Sequence, residues 1–371
     1  MKKLLLMAGS VFLILQVSAQ TDSLTVKDSL DQMIGQMIMV GIGDFNTLDQ
    51  QATVFEAIRA EQVGGVILFE KNLSPNNTVE NLQGILRFTQ KQARVPLFIS
   101  IDEEGGRVNR LKTKYGFPKT VTAQYLGELD NLDSTSFYAK QTAGILYKLG
   151  VNMNFAPSVD VNINPNNPVI GKIGRSYSAD PMVVTRHAQA FVEGHELFGV
   201  ATVLKHFPGH GSSMSDSHLG LTDVSDTWKF EELLPYKALM DSGKVRAVMT
   251  AHIVNDVLDD SKLPATLSDK VISEVLRGFM GYEGVVVSDD MQMKAISAQY
   301  GLEEGIKMAV LAGVDVLLFA NNVPDYELVT AQQIHAIVKN LVKNGDISRD
   351  RIEQSYRRII TLKKDLGLVN P

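Results

Sequence analysis

The stretch KHFPGHGSSMSDSHLGL, residues 205 to 221, places Lys205, His206, His210, Asp216 and His218 within fourteen residues, among Pro208, two glycines and four serines. An ammonium, three imidazoles and a carboxylate held so close together are the ingredients of proton transfer and of gripping a polar substrate. Asp216 and His218 stand two apart, and a carboxylate beside an imidazole fixes one tautomer and raises its basicity, as acid–base catalysis requires. Asp289 follows the apolar run GVVVS (284 to 288). A carboxylate emerging there serves as a nucleophile, a general base or a metal ligand. Asp290, beside it, reads as an N-cap for the next helix.

Further candidates lie in IDEEGGRVNRL, 101 to 111, where Asp102 closes an apolar run and Arg107 and Arg110 follow two glycines. A carboxylate accepts from two hydroxyls at once, and an arginine reaches a hydroxyl or a carboxylate nearby. Glu104 and Arg107 read as a surface ion pair. Arg175, in GRSYS, follows the turn-rich segment NINPNNPVIGKI (162 to 173), which is polar enough to reach over a site. The lone Trp228 reads as packing a helix.

These residues need a scaffold that gathers them. Eight apolar runs recur along the chain, at 37–43, 64–70, 95–106, 151–161, 200–206, 245–252, 284–290 and 314–322, most of them separated by helical stretches such as 74–93, 136–150, 181–199, 268–281 and 303–313. The runs are apolar along their whole length, as in parallel strands buried on both faces. Eight strands alternating with helices predict a single (β/α)8 barrel of the TIM type, closed by helices over 326–345 and 348–367. A doubly wound sheet is the alternative, but the first strand ends VGIGDFNTLD and lacks the GxGxxG fingerprint. The polar residues Asp102, Asn154, Asp160, Lys205, His206, His252, Asp289, Asp290 and Asn321 follow the runs. In a barrel those ends converge on the face where active sites are built.

The chain has 371 residues, a net charge of −6 and no basic block, which speaks against a nucleic-acid partner. Residues 1–19 place Lys2 and Lys3 before an apolar run of about 14 residues that ends in VSA, the pattern of a cleaved export signal rather than a spanning helix. The chain therefore divides into a signal peptide, 1–19, and a catalytic barrel, 20–371, exported to a bacterial periplasm or beyond and not held in the membrane after cleavage. With no cysteine, neither acylation at a cysteine nor a disulfide framework is available.

Taken together, IDEEGGRVNR (101 to 110), NFAPSVDVN (154 to 162), GRSYSADP (174 to 181), KHFPGHG with DSH (205 to 218), MTAHI (249 to 253) and GVVVSDDMQM (284 to 293) resemble family 3 glycoside hydrolases of the NagZ type, the β-N-acetylglucosaminidases. The resemblance implies a retaining hydrolase on one barrel, working on a carbohydrate without metal or cofactor. Asp289 is then the nucleophile, His218 the acid/base and Asp216 its partner, while Asp102, Arg110, Arg175, Lys205 and His206 hold an N-acetylglucosamine residue. The usual retaining pair is two carboxylates, and the DSH loop fits instead the sub-family whose acid/base is a histidine. The β-glucosidase branch, with a glutamate acid on a second domain, fits poorly. The export signal departs from the cytoplasmic members, and the segment 162–173 is an insert with scope to reshape access.

Two other classes fit the residues alone. A metal-dependent barrel hydrolase would use His206, His210, His218, His252 and Asp289, although no strand carries an HxH pair. A non-catalytic sugar-binding protein would have no need of an intact nucleophile and dyad.

Overall fold

The computed structural model describes residues 29–43, 48–322 and 328–370. The expected export segment, 1–19, and the start of the helix expected over 326–345 lie outside them. Eight parallel strands form the barrel: β1 (Ile38–Gly41), β2 (Gly65–Leu68), β3 (Phe98–Ile101), β4 (Met153–Asn154), β5 (Ala201–Phe207), β6 (Ala247–Thr250), β7 (Val285–Ser288) and β8 (Leu317–Phe319). Each falls on one of the eight apolar runs, β5 running one residue past its run to Phe207, and all of their residues are buried. Fully burying one such Val, Ile or Leu side chain contributes about 1.5–3 kcal/mol over leaving it exposed.

The sheet closes on itself. Pairing runs β8–β1–β2–β3–β4–β5–β6–β7, with β8 against β1 through Ile38 opposite Leu317. Between β7 and β8 the ring is completed by the parallel bridge Val287–Val316 and by N–H of Ser288 donating to Val316 O at 2.9 Å. Helices alternate with the strands as expected, and others outside the named helical stretches, among them Leu48–Arg59, Ala123–Leu129 and Leu234–Asp241, join them. The segment expected as an α-helix over 268–281 winds as a π-helix over Lys270–Phe279, Met280 N–H donating five residues back to Val275 O. A two-residue parallel ribbon, Thr222–Asp223 beside Ile253–Val254, ties the loops after β5 and β6 together.

Local sequence sets the helix starts. Asp180 accepts the Met182 N–H at 2.8 Å with Pro181 as the first helical residue, opening Pro181–Glu196. At the N-terminal end of the barrel, the last helix, Arg349–Asp365, sends buried Lys363 inward. Its ammonium donates to Gln36 Oε1 (2.6 Å), Gly64 O (2.9 Å) and Pro96 O (2.6 Å). Burial pushes this lysine down to about 7, and those acceptors tie the first helix and the starts of two strands to the last. One end of the barrel is thus closed by structural contacts, and the other carries the polar loops.

Candidate active site

The strand ends open into one cavity of about 470 Å³ at the C-terminal mouth, lined by Asp102, Arg110, Arg175, Lys205, His206, Asp216, His218 and Asp289 over a floor that includes Phe155, Met249 and Leu318. All eight residues singled out for catalysis or substrate binding face this one space. Lys205 and His206 belong to β5 itself and the others to the loops after β3, β4, β5 and β7, which only closure of the barrel brings together.

Asp289 is the first residue beyond β7, its N–H bonded to Thr250 O on β6 at 3.2 Å and its Oδ1 accepting the Asp290 N–H at 2.8 Å. Burial alone would raise its pKa. The imidazoles of His252, His206 and His218, with that N–H, outweigh burial and hold the carboxyl below the ordinary range. It is therefore an ionised, partly desolvated carboxylate, the state a nucleophile needs. Asp290 does not cap the next helix. Its Oδ1 instead accepts from Gln292 N at 3.1 Å and from Ala320 N beyond β8 at 3.1 Å, because the chain turns back toward the neighbouring strand before helix Lys294–Tyr300 begins. Burial pushes Asp290 up to about 6.

His218 and Asp216 sit at the rim. Nδ1 of His218 donates to Asp216 Oδ1 at 2.7 Å, which leaves Nε2 as the atom free to exchange a proton with a bound molecule. The loop that carries them leaves the barrel past Gly211, where a Cβ would lie 1.7 Å from Val161 O, so no side chain fits at that crossing.

Beneath the rim is a cationic lattice. Lys205, 1% exposed, donates to Asp102 Oδ1 and is paired with Glu104 Oε1, both at 2.7 Å. Arg110 Nη2 reaches Asp102 Oδ2 at 3.2 Å, and its guanidinium lies 5.7 Å from the Phe69 ring centroid. Arg175 binds Glu104 with two arms, Nε to Oε2 at 2.9 Å and Nη2 to Oε1 at 2.7 Å. Burial opposes ionisation of Glu104, but Arg175 and Lys205 win and hold it at about 2. Glu104 is accordingly no surface ion pair with Arg107, which is exposed; the two glycines after it turn the chain so that Glu104 points inward. Arg175 Nη2 also donates to His206 Nε2 at 3.1 Å, so His206 carries its proton on Nδ1 and gives it to Asp160 Oδ2 at 2.7 Å.

Two residues expected at the mouth serve as supports. Asn154 takes the Glu103 N–H and donates to Glu103 O, each at 3.0 Å, locking the strand end that presents Asp102. Asn321 bonds both backbone polar groups of Val329, while Asn322 is the residue that lines the cavity. Trp228 packs on the loop after β5, its indole N–H donating to Pro208 O at 3.1 Å. Glu103, which the sequence did not mark, accepts the Arg110 and Leu111 N–H groups at 2.8 and 3.0 Å and so fixes the loop from which Arg110 reaches Asp102. Both ring nitrogens of His252 are engaged, Nδ1 with Thr266 Oγ1 at 2.8 Å and Nε2 donating to Asp290 O at 3.0 Å. Among the described residues there is no group of three or more His, Cys, Asp or Glu arranged to hold a metal ion.

The chain is also similar to known proteins. The family model for the glycosyl hydrolase family 3 N terminal domain matches residues 29–362. Beta-hexosaminidase A of Pseudoalteromonas piscicida is 33% identical over an alignment of 388 positions that covers 94% of this chain, and the chain spans 63% of that protein's length. Beta-hexosaminidase LpqI of Mycobacterium tuberculosis is 32% identical over 342 residues, covering 89% of this chain and 81% of that one. Among solved structures, a glycoside hydrolase family 3 beta-N-acetylglucosaminidase from Paenibacillus superposes with a TM-score of 0.83 at 38% identity, over 92% of this chain and 63% of that one.

Proposed function

The chain belongs to glycoside hydrolase family 3, and from that premise we propose that it is a retaining exo-β-N-acetylglucosaminidase. It removes single terminal β-linked N-acetylglucosamine residues from peptidoglycan fragments or chitin-type oligomers. The observation that carries the reading is that an ionised carboxylate, Asp289, and a carboxylate-oriented imidazole, His218, face the same cavity. In the first step Asp289 attacks the anomeric carbon while the His218 imidazolium protonates the departing oxygen. In the second, the neutral imidazole takes a proton from water as that water displaces the carboxylate. Asp102, Arg110, Arg175, Lys205 and His206 orient the sugar, and because they are already fixed by their own ion pairs little ordering remains to be done on binding.

Shape supports the exo reading: a cavity of about 470 Å³, walled by loops on several sides, suits a chain end. The preference for a 2-acetamido sugar rests on likeness to the Paenibacillus beta-N-acetylglucosaminidase, whose name carries it. Export by the segment 1–19, as the sequence leads one to expect, would bring the enzyme to envelope glycans first, which favours peptidoglycan fragments over chitin. The test combines mass and rate. A 5-fluoro N-acetylglucosaminide should add one glycosyl unit to the intact protein, and p-nitrophenyl β-N-acetylglucosaminide should be cleaved faster than the β-glucoside and β-xyloside. A β-glucoside rate equal to or above the N-acetyl rate assigns the chain to the β-glucosidase branch.

A further inference from the structure

Below the loop that carries Asp216 and His218, two buried carboxylates divide the backbone N–H groups of the loop's root between them. Asp160 Oδ1 accepts from His206 at 3.2 Å and His210 at 2.8 Å. Glu232 Oε2 accepts from Gly211 at 2.9 Å and Ser212 at 3.3 Å. Asp160 also holds a residue of the pocket, His206. Glu232 touches none: it lies in the turn Phe230–Leu233, on a separate segment, fully buried and outside the lining of the cavity. Its neighbourhood is built to receive it. A Cβ on Gly209 would lie 2.5 Å from Glu232 Cβ and 3.0 Å from its Oε2, so only a glycine lets the loop pass that close. Two residues before the turn, the Trp228 indole grips Pro208 O. The same short segment therefore holds the loop root at residues 208, 211 and 212.

A buried carboxylate is expensive to keep unless its hydrogen bonds are needed. Here one oxygen, Oε1, lacks a protein partner, as do the nearby buried Ser212 Oγ, Ser213 Oγ and Tyr236 Oη. An apolar residue of similar size would avoid that cost but would leave the Gly211 and Ser212 N–H groups unheld. Those two N–H groups lie four to seven residues before Asp216 and His218, where a small change of backbone direction moves the imidazole far.

We propose that Glu232 is a positioning residue for the Asp216–His218 pair: by holding the Gly211 and Ser212 N–H groups it aims the loop so that His218 Nε2 stands opposite Asp289 across the bound sugar. This rests on the reading of His218 as the acid/base. A misplacement of about an ångström in such a group costs up to about a hundredfold in rate.

The experiment measures kcat and KM for a series of aryl β-N-acetylglucosaminides, from activated to poor leaving groups, in the full chain carrying Glu232→Ala, Glu232→Gln, His218→Ala and the double variant Glu232→Ala/His218→Ala. Glu232→Ala should lose roughly ten- to a hundredfold in kcat on the poorest leaving group, with little change on the most activated one and KM near normal. Glu232→Gln, which keeps an acceptor oxygen, should recover most of that loss. In the His218→Ala background Glu232→Ala should add no further loss. If the alanine variant does not fold, Glu232→Gln and Glu232→Asp take its place, with a smaller leaving-group-dependent loss expected from each. Equal losses across the series, no loss at all, or losses that add to those of His218→Ala would overturn the proposal while leaving the acid/base reading intact. Absence of leaving-group dependence in His218→Ala itself would instead remove that reading, and this proposal with it.

Discussion

A single oxygen of Asp216, Oδ1, accepts both the backbone N–H of His218 at 2.8 Å and its ring Nδ1–H at 2.7 Å. The carboxylate thus fixes the backbone and the ring of the same residue, which leaves Nε2 with one direction to face. His218→Ala should therefore slow substrates with poor leaving groups far more than activated aryl glycosides, since only the former need the departing oxygen protonated. Asp216→Ala should show the same pattern more weakly, because a free imidazole still carries a proton. Equal losses on both kinds of substrate would assign His218 to structure or binding.

Asp289→Asn should lose about three orders of magnitude or more in kcat with KM little changed, as an amide cannot form the glycosyl ester and no second carboxylate takes its place. Steady-state kinetics on p-nitrophenyl β-N-acetylglucosaminide measures this, and a near-normal rate would refute the assignment.

Glu104→Gln should damage both fold and affinity. Arg175 and Lys205 share that carboxylate, and removing one partner of a buried ion pair costs about 3–5 kcal/mol. A lowered urea midpoint and a raised KM are expected, with kcat on activated substrates affected least. Because Glu104 is held at about 2, below its ordinary value of 4.5, its contribution to stability is complete above the unfolded value and disappears as pH falls through the folded one.

His195 ties stability to mild acid. Its Nδ1–H donates to Phe191 O at 3.0 Å, and its Nε2 faces the Asn154 Nδ2 at 3.0 Å, an amide whose orientation the Glu103 backbone fixes. A proton on Nε2 would set donor against donor, and burial lowers the group to about 4. A lowered histidine contributes stability above its unfolded value of 6.5 and loses it as pH falls toward 4. Wild type should lose up to about 1.4 kcal/mol per pH unit more than His195→Gln across that window, read from urea midpoints. Parallel curves would contradict this.

Export makes a direct prediction as well. Protein purified from the native host should lack about the first nineteen residues, following the small-residue cleavage site, and should be recovered outside the cytosolic fraction. Full-length protein in the cytosol would contradict it.

Most of the scaffold, with Asp102, Lys205, His206 and Asp289, was legible from local pattern, an apolar run ending where a polar residue follows; Arg110, Arg175, Asp216 and His218, out in the loops, were legible through the motifs that carry the family resemblance. What was not legible depends on where a side chain turns after the strand. Glu104 and Arg107 both look like surface charges in IDEEGGRVNR, and only the fold around Gly105 and Gly106 sends one inward and the other out. Asp290 resembles an N-cap until the chain is seen to return toward β8. Asn154 occupies a strand end like its catalytic neighbours, yet its partners, Glu103 and His195, lie 51 and 41 residues away. The position of Glu232 below the loop root, 20 residues from Ser212, has no signature in the sequence.

The His218 side chain is 61% exposed, while Asp289 is half-buried. The proposed acid/base thus stands in open contact with the bulk medium, more so than the proposed nucleophile. No relay through the barrel wall has to deliver a proton between turnovers, since the surrounding water and its buffer ions reach the imidazole directly.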